Sequence, residues 1–251
     1  MVWPAGIAID SQQRLYVTDE WNQRVSVFDT EGNLLDEWGE AGSGAGQFDR
    51  PSGIAFDAGE NLLVVDARNH RVQRLTRNGR FLSQWGSSGT GPGQFNMPWG
   101  VALNASGQIY VTDWRNDRVQ KFSPEGDFIL EWGSSGRGAG EFNRPAGIAV
   151  DHDGDVYVVD WHNNRVQAFD SKGQYVDQLI GDASMSSWGG QLMASNPVME
   201  RYRQTAKHPE REGRLFRPRA VKVDHQNRIF IVDSCKGRLQ VYRKDQANPP
   251  S

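Results

Sequence analysis

Apolar residues fall at alternate positions in short runs that recur along the whole chain. Ile7 and Ile9, Ile54 and Phe56, and Ile148 and Val150 each stand two apart with a small residue between them. A period of two marks a strand, and small residues on one face with branched ones on the other fit close packing near an axis. Three further runs follow, seen whole in Leu62-Leu-Val-Val-Asp66, Asn69-His-Arg-Val-Gln-Arg-Leu75 and Phe81-Leu-Ser-Gln-Trp85-Gly86. They are rich in β-branched and aromatic residues and bounded by Gly, Asn or Asp, so they predict four antiparallel strands, here a to d. A helical period appears once. Asn196-Pro197 offers a cap and a first turn, Val198, Met199, Tyr202 and Ala206 fall on one face, and Pro209 ends the run. A helix near 197–207 is expected there.

The four-strand unit repeats. Pro4, Pro51, Pro98 and Pro145 are 47 residues apart, and a fifth unit starts at Pro218. A unit of this length and content is one blade of a β-propeller, whose sheets bury their faces on their neighbours. The expectation is an all-β propeller of four-stranded antiparallel blades forming one domain over 1–251, with one short inserted helix. Its repeats run over about 4–50, 51–97, 98–144, 145–181 and 218–243, with an insert at 182–217. The fifth unit lacks a strand d after Tyr242, and Met1–Trp3 is too short to supply one. Either a five-bladed ring or an arc that needs a partner follows, and an unpaired blade edge invites self-association.

The repeated string Val-x-Asp-x-x-Asn-x-Arg-Val-x-x-Phe, followed by Trp-Gly-x-x-Gly-x-Gly-x-Gly-Gln-Phe-x-x-Pro, resembles the NHL repeat. The resemblance covers nearly the whole chain apart from the insert. It implies a propeller, usually six-bladed, that hosts unrelated functions. Catalytic propellers of this kind, such as the peptidyl-amidoglycolate lyases, place metal-binding histidines around the channel. Here the strands a read Gly-Ile-Ala-Ile-Asp10, Gly-Ile-Ala-Phe-Asp57, Gly-Val-Ala-Leu-Asn104, Gly-Ile-Ala-Val-Asp151 and Ala-Val-Lys-Val-Asp224, without a histidine.

Charge narrows the classes further. With Lys+Arg 28 against Asp+Glu 31 the net charge is −3, and no basic block marks a nucleic-acid protein. A single cysteine, Cys235, excludes an internal disulfide framework. No signal-peptide core and no membrane-spanning run is present, so the chain reads as soluble. The five histidines are scattered without metal-ligand spacing. Asp151-His152-Asp153-Gly154-Asp155 imitates a calcium loop but lacks the later Glu and falls where the other units have an ordinary turn. No cofactor, metal or catalytic residue is assigned.

Residues that recur in every unit read as framework. Asp19/Arg24, Asp66/Arg71, Asp113/Arg118, Asp160/Arg165 and Asp233/Arg238 are expected to be ion pairs that tie the b–c turn. Asn22, Asn69, Asn116 and Asn163 between them suit a left-handed turn residue. The glycine-rich stretches at 39–46, 86–93 and 133–140 open no helix, so they read as inter-blade loops and not as phosphate cradles.

Departures from the repeat are where a ligand is sought. The b–c and d–a loops of a propeller share one face, which would display Trp21, Arg68, Trp114, Arg115, Trp161 and His162 together with Trp99. The insert helix, with Met199 and Tyr202, starts and ends on the same face. Trp and Arg are the residues that anchor interfaces, so the leading expectation is a non-catalytic scaffold for a protein or peptide. The second is a hydrolase or lyase with a pocket at the channel mouth using Lys222, Glu200 and His162. The third is single-stranded RNA binding, disfavoured because the face is only mildly positive.

Overall fold

The structure, a computed structural model, describes residues 1–181 and 213–244. The helix expected over 197–207, with Met199, Glu200 and Tyr202, lies outside the described residues. Five antiparallel sheets follow one another along the chain. Blade one holds β1 (Pro4–Ile9), β2 (Leu15–Asp19), β3 (Arg24–Phe28) and β4 (Leu34–Trp38). Blade two holds β5 (Pro51–Phe56), β6 (Leu62–Asp66), β7 (Arg71–Leu75) and β8 (Phe81–Trp85). Blade three holds β9 (Pro98–Leu103), β10 (Ile109–Asp113), β11 (Arg118–Phe122) and β12 (Phe128–Trp132). Blade four holds β13 (Pro145–Val150), β14 (Val156–Asp160), β15 (Arg165–Phe169) and β16 (Tyr175–Leu179). Blade five has three strands, β17 (Ala220–Val223), β18 (Arg228–Asp233) and β19 (Arg238–Arg243).

The blades stack through their first strands, β1 on β5, β5 on β9, β9 on β13 and β13 on β17. Glycine makes this close approach feasible. A methyl group on Gly53 would come 2.6 Å from the carbonyl oxygen of Trp99, and one on Gly100 would come 2.5 Å from that of Ala146. Between blades one and two lie Tyr16, Val25 and Val27 from one side and Ile54, Leu62, Val64 and Leu75 from the other, all buried. Phe48 of the connecting loop closes this layer, as Phe95 and Phe142 do in the next two. Burying each such side chain contributes about 1.5–3 kcal/mol. Among the described residues no comparable stacking joins β17 back to β1, so the five blades form an open arc.

The b–c turn binds the loop that enters its own blade. Asp66 accepts from Arg71 Nε at 2.8 Å, Asn69 Nδ2 at 2.9 Å and the backbone N–H of Asp49 at 2.7 Å. The Arg71 guanidinium then donates to the carbonyls of Ser43, Gly44 and Gln47. Asp113/Arg118, Asp160/Arg165 and Asp233/Arg238 repeat the contact at 2.8–2.9 Å. Burial pushes the carboxyls of Asp66, Asp113 and Asp160 up, against the pull of their Asn and Arg donors.

Two framework expectations need correction. Blade one does not form the Asp19/Arg24 pair. Arg24 lies 2.8 Å from Glu37, and Asp19 accepts the N–H groups of Val2, Trp3, Trp21 and Asn22 instead. In blade two the carbonyls of Ser43, Gly44 and Gln47 hold the arginine in place, and Arg24 has no such contact among the described residues. The left-handed residue is also one position later than expected, at Gln23, His70, Asp117 and Asn164, with Gly237 in the fifth blade. The asparagines use their side chains differently, Asn69 bridging Asp66 and the Gly42 carbonyl.

Candidate functional site

Pro98 starts β9, and the residue after it, Trp99, lies beside Ala146 and Arg219, its counterparts in blades four and five. The Ser52 hydroxyl donates to the Trp99 carbonyl at 2.9 Å, which holds the β9 backbone in place. Trp114 and Trp161 follow the buried Asp113 and Asp160, whose bonds fix the turns on which they stand. The three indoles form a row. Trp99 and Trp114 have ring centroids 6.4 Å apart, Trp114 and Trp161 6.3 Å, and His162 stacks on Trp161 at 4.3 Å. A small cavity of about 70 Å³ opens between them, lined by Trp99, Trp114, Ala146, Trp161 and Arg219.

Arginines surround this row. Arg144 stands 4.6 Å above the Trp114 ring and Arg115 5.8 Å from it, while Arg217 and Arg219 lie 5.6 and 5.9 Å from Trp161. Guanidinium over an indole face is a favourable cation–π contact, but it leaves the charge unneutralised. No described carboxylate forms an ion pair with any of the four. Asp117 is nearby, but its oxygens accept from the Arg144 backbone N–H and the Ser135 hydroxyl. The field is felt by His162, whose pKa is held below 6.5 by burial first and then by Arg217 and Arg144.

Trp21 and Arg68 are not part of this cluster. Trp21 is 63% exposed and, with Trp3, Arg50 and Arg68, borders a separate cavity over blades one and two. Arg50 occupies the place of Arg144 but is neutralised by Glu20 at 3.2 Å. Sequence reasoning missed Arg144, Arg217 and Arg219. The available signal was their position two residues or fewer from the proline that opens a blade, where Arg50, Met97, Arg144 and Arg217 all take the left-handed conformation.

A larger cavity at the a–b turns is lined by Asp57, Asp151, Asp224, His152 and His225 among others. Its carboxylates are already engaged. Asp57 and Asp224 accept two backbone N–H groups each in their own turns. Lys244 Nζ lies 2.7–2.9 Å from Asp151, Asp153 and Asp155. Among the described residues no group of three or more His, Cys, Asp or Glu is arranged to hold a metal.

The NHL-repeat model matches residues 1–28, 48–75, 95–122 and 142–169, each match running from the loop phenylalanine position to the end of strand c. The chain belongs to the NHL-repeat β-propellers. No curated protein matches this NHL propeller in sequence. Among solved structures it is similar to a catalytically inactive virginiamycin B lyase from Staphylococcus aureus with quinupristin, at 14% identity and a TM-score of 0.59. It is also similar to a gluconolactonase from Xanthomonas campestris (18%, TM-score 0.60) and to a chain of a nidogen/laminin complex (15%, TM-score 0.62). Each alignment covers 96% of the NHL propeller and 69%, 76% and 80% of the other chain, respectively. At such identities the likeness is one of fold. No described helix is long and apolar enough to cross a membrane.

Proposed function

We propose that this propeller is a non-catalytic scaffold that binds an acidic segment of a protein or peptide through the Trp99–Trp114–Trp161 row. One observation carries the reading: four arginines pack on the tryptophans, and no described carboxylate pairs with them. The indoles supply rigid apolar area, and the guanidinium forks suit bidentate carboxylates. Trp21 and Arg68 serve as a second, weaker contact, since Glu20 quenches the local positive charge.

The hydrolase reading gains no support from a neighbouring group. Lys222 sits where the other strands a carry alanine, desolvation lowers its pKa, and it has no polar partner among the described residues. The test uses fluorescein-labelled Glu- and Asp-rich peptides containing a Phe or Leu, with Gln/Asn isosteres as controls. Changing all three tryptophans to alanine is expected to abolish acidic-peptide binding while thermal unfolding stays cooperative. Equal binding of isosteres, or turnover of lactone or ester substrates by the wild-type chain, would overturn the proposal. A preference for oligo-U with steep salt dependence would assign the face to RNA instead.

A further inference from the structure

The cavity at the a–b turns shares no lining residue with the Trp/Arg row. Its volume is about 520 Å³, within the range of small-molecule pockets. Phe56, Leu103, Val150 and Val223 line it, each the last residue of its strand a. All four are half-buried, so the packing between blades leaves them as an apolar wall. The rim departs from the repeat at one position. The residue after the Asp or Asn that opens the turn is Ala58 in blade two and Ala105 in blade three, but His152 and His225 in blades four and five. All four of these residues line the cavity, so both imidazoles stand on its rim. Neither imidazole has a hydrogen-bond partner among the described residues. Polar groups that no framework contact uses, set beside an apolar wall, have the composition of a ligand site.

Charge selects what the cavity takes. Arg74 lies 3.3 Å from Asp57, and Arg228 lies 2.6 Å from Asp224, one cation for each acid. In blade four a single cation serves three acids, with Lys244 Nζ 2.7–2.9 Å from Asp151, Asp153 and Asp155. Leaving the imidazoles out of the count, that turn keeps two uncompensated negative charges beside His152. Bonds to the turns and to Lys244 already hold these carboxylates, so they act on a ligand through their field. The imidazole nitrogens supply the acceptors. An anion is repelled by this field, and a neutral apolar molecule leaves it unused.

We propose that this cavity binds a small organic cation, an ammonium group on an aromatic or alkyl body. The body lies against the apolar wall of strand-a ends, and the ammonium is directed to the rim formed by His152 and His225. Lys244 shows the same preference within the chain, since the group that blade four holds is itself an alkylammonium. The inference does not depend on the ligand proposed for the Trp/Arg row.

The test titrates the full chain by calorimetry with phenethylammonium, phenethyl alcohol and hydrocinnamate, which share a phenyl body and differ in charge. The ammonium is expected to bind and to shift the imidazole NMR signals of His152 and His225, and the anion is expected not to bind. Ala105→Trp fills the cavity from an exposed turn, so it should abolish binding while thermal unfolding stays as in the parent. Asp153→Asn together with Asp155→Asn removes the uncompensated charge and should weaken ammonium binding about fivefold at low salt, and less at about 0.5 M salt. Equal binding of the alcohol, tighter binding of hydrocinnamate, or no binding of the ammonium would each overturn the proposal. So would ammonium binding that survives Ala105→Trp, or undiminished affinity in the double Asn variant.

Discussion

The Arg144 guanidinium stands 4.6 Å above the Trp114 ring, and its backbone N–H is held by Asp117 at 2.7 Å. The acid that fixes the loop is thus spent on the main chain and leaves the side-chain charge outward. His162 reports that charge. Its imidazole is expected to titrate below 6.5, and Arg144→Ala or Arg217→Ala should move the value upward in an NMR titration. An acidic peptide that neutralises the arginines should also raise it. A proton held more tightly in the complex means that affinity increases as pH falls from about 7 to about 5. Affinity independent of pH over that range would show that the peptide does not approach His162.

Arg71→Met should be far more costly than Arg24→Met. Removing Arg71 strands the buried Asp66 and three loop carbonyls, an expected loss of about 3–5 kcal/mol. Arg24 shares a partly exposed pair with Glu37, so its replacement should cost under about 1 kcal/mol. Urea unfolding of the two variants measures the difference.

Gly100→Ala places a methyl group 2.5 Å from the backbone oxygen of Ala146, which must move. A cost of about 1–3 kcal/mol is expected from overpacking, together with altered tryptophan fluorescence, because blades three and four carry Trp114 and Trp161. Gly140→Ala meets no neighbour within 4 Å and only strains a left-handed turn (φ +77°). It should cost about 1–2 kcal/mol and leave the fluorescence unchanged.

Acid should loosen the ends of the arc before its middle. Burial pushes the Asp10 and Asp19 carboxyls up, but Arg14 at Asp10 and backbone N–H groups at Asp19 more than offset it. Asp153 in the a–b turn of blade four is lowered by its bond to Lys244, which follows β19 of blade five. Desolvation raises Asp224, but bonds from Arg228 and backbone N–H groups more than offset it. A carboxyl with a depressed folded pKa stabilises above its unfolded pKa and loses that contribution as pH falls through the folded value. Asp66, Asp113 and Asp160 are shifted the other way, so their protonation favours the folded state. Hydrogen exchange between about pH 5 and pH 3 should lose protection first in blades one and five. Uniform loss would show that these carboxyls do not set acid stability.

Much of the architecture was legible because the repeat writes each constraint several times. Pro4 to Pro218 marks the blades, and the Asp/Arg spacing marks the turns that bind loops. Blade one departed from the pattern because its pair depends on a loop from elsewhere, which no local spacing reveals. The left-handed position was misplaced because Asn69 was read by backbone tolerance, whereas its amide is needed to bridge Asp66 and Gly42. At the site the tryptophans were visible as departures from the repeat. Arg144 and Arg219 were not, since a loop arginine gains meaning only from the indole it covers and the acid it lacks.

The row of indoles also gives the molecule an optical signature of its own. Trp99, Trp114 and Trp161 are close enough for their excited states to couple, whereas Trp38, Trp85 and Trp132 pack on phenylalanine or tyrosine rings and not on another described tryptophan. Near-ultraviolet dichroism should therefore be dominated by the row, and anything that enters it will be seen without a label.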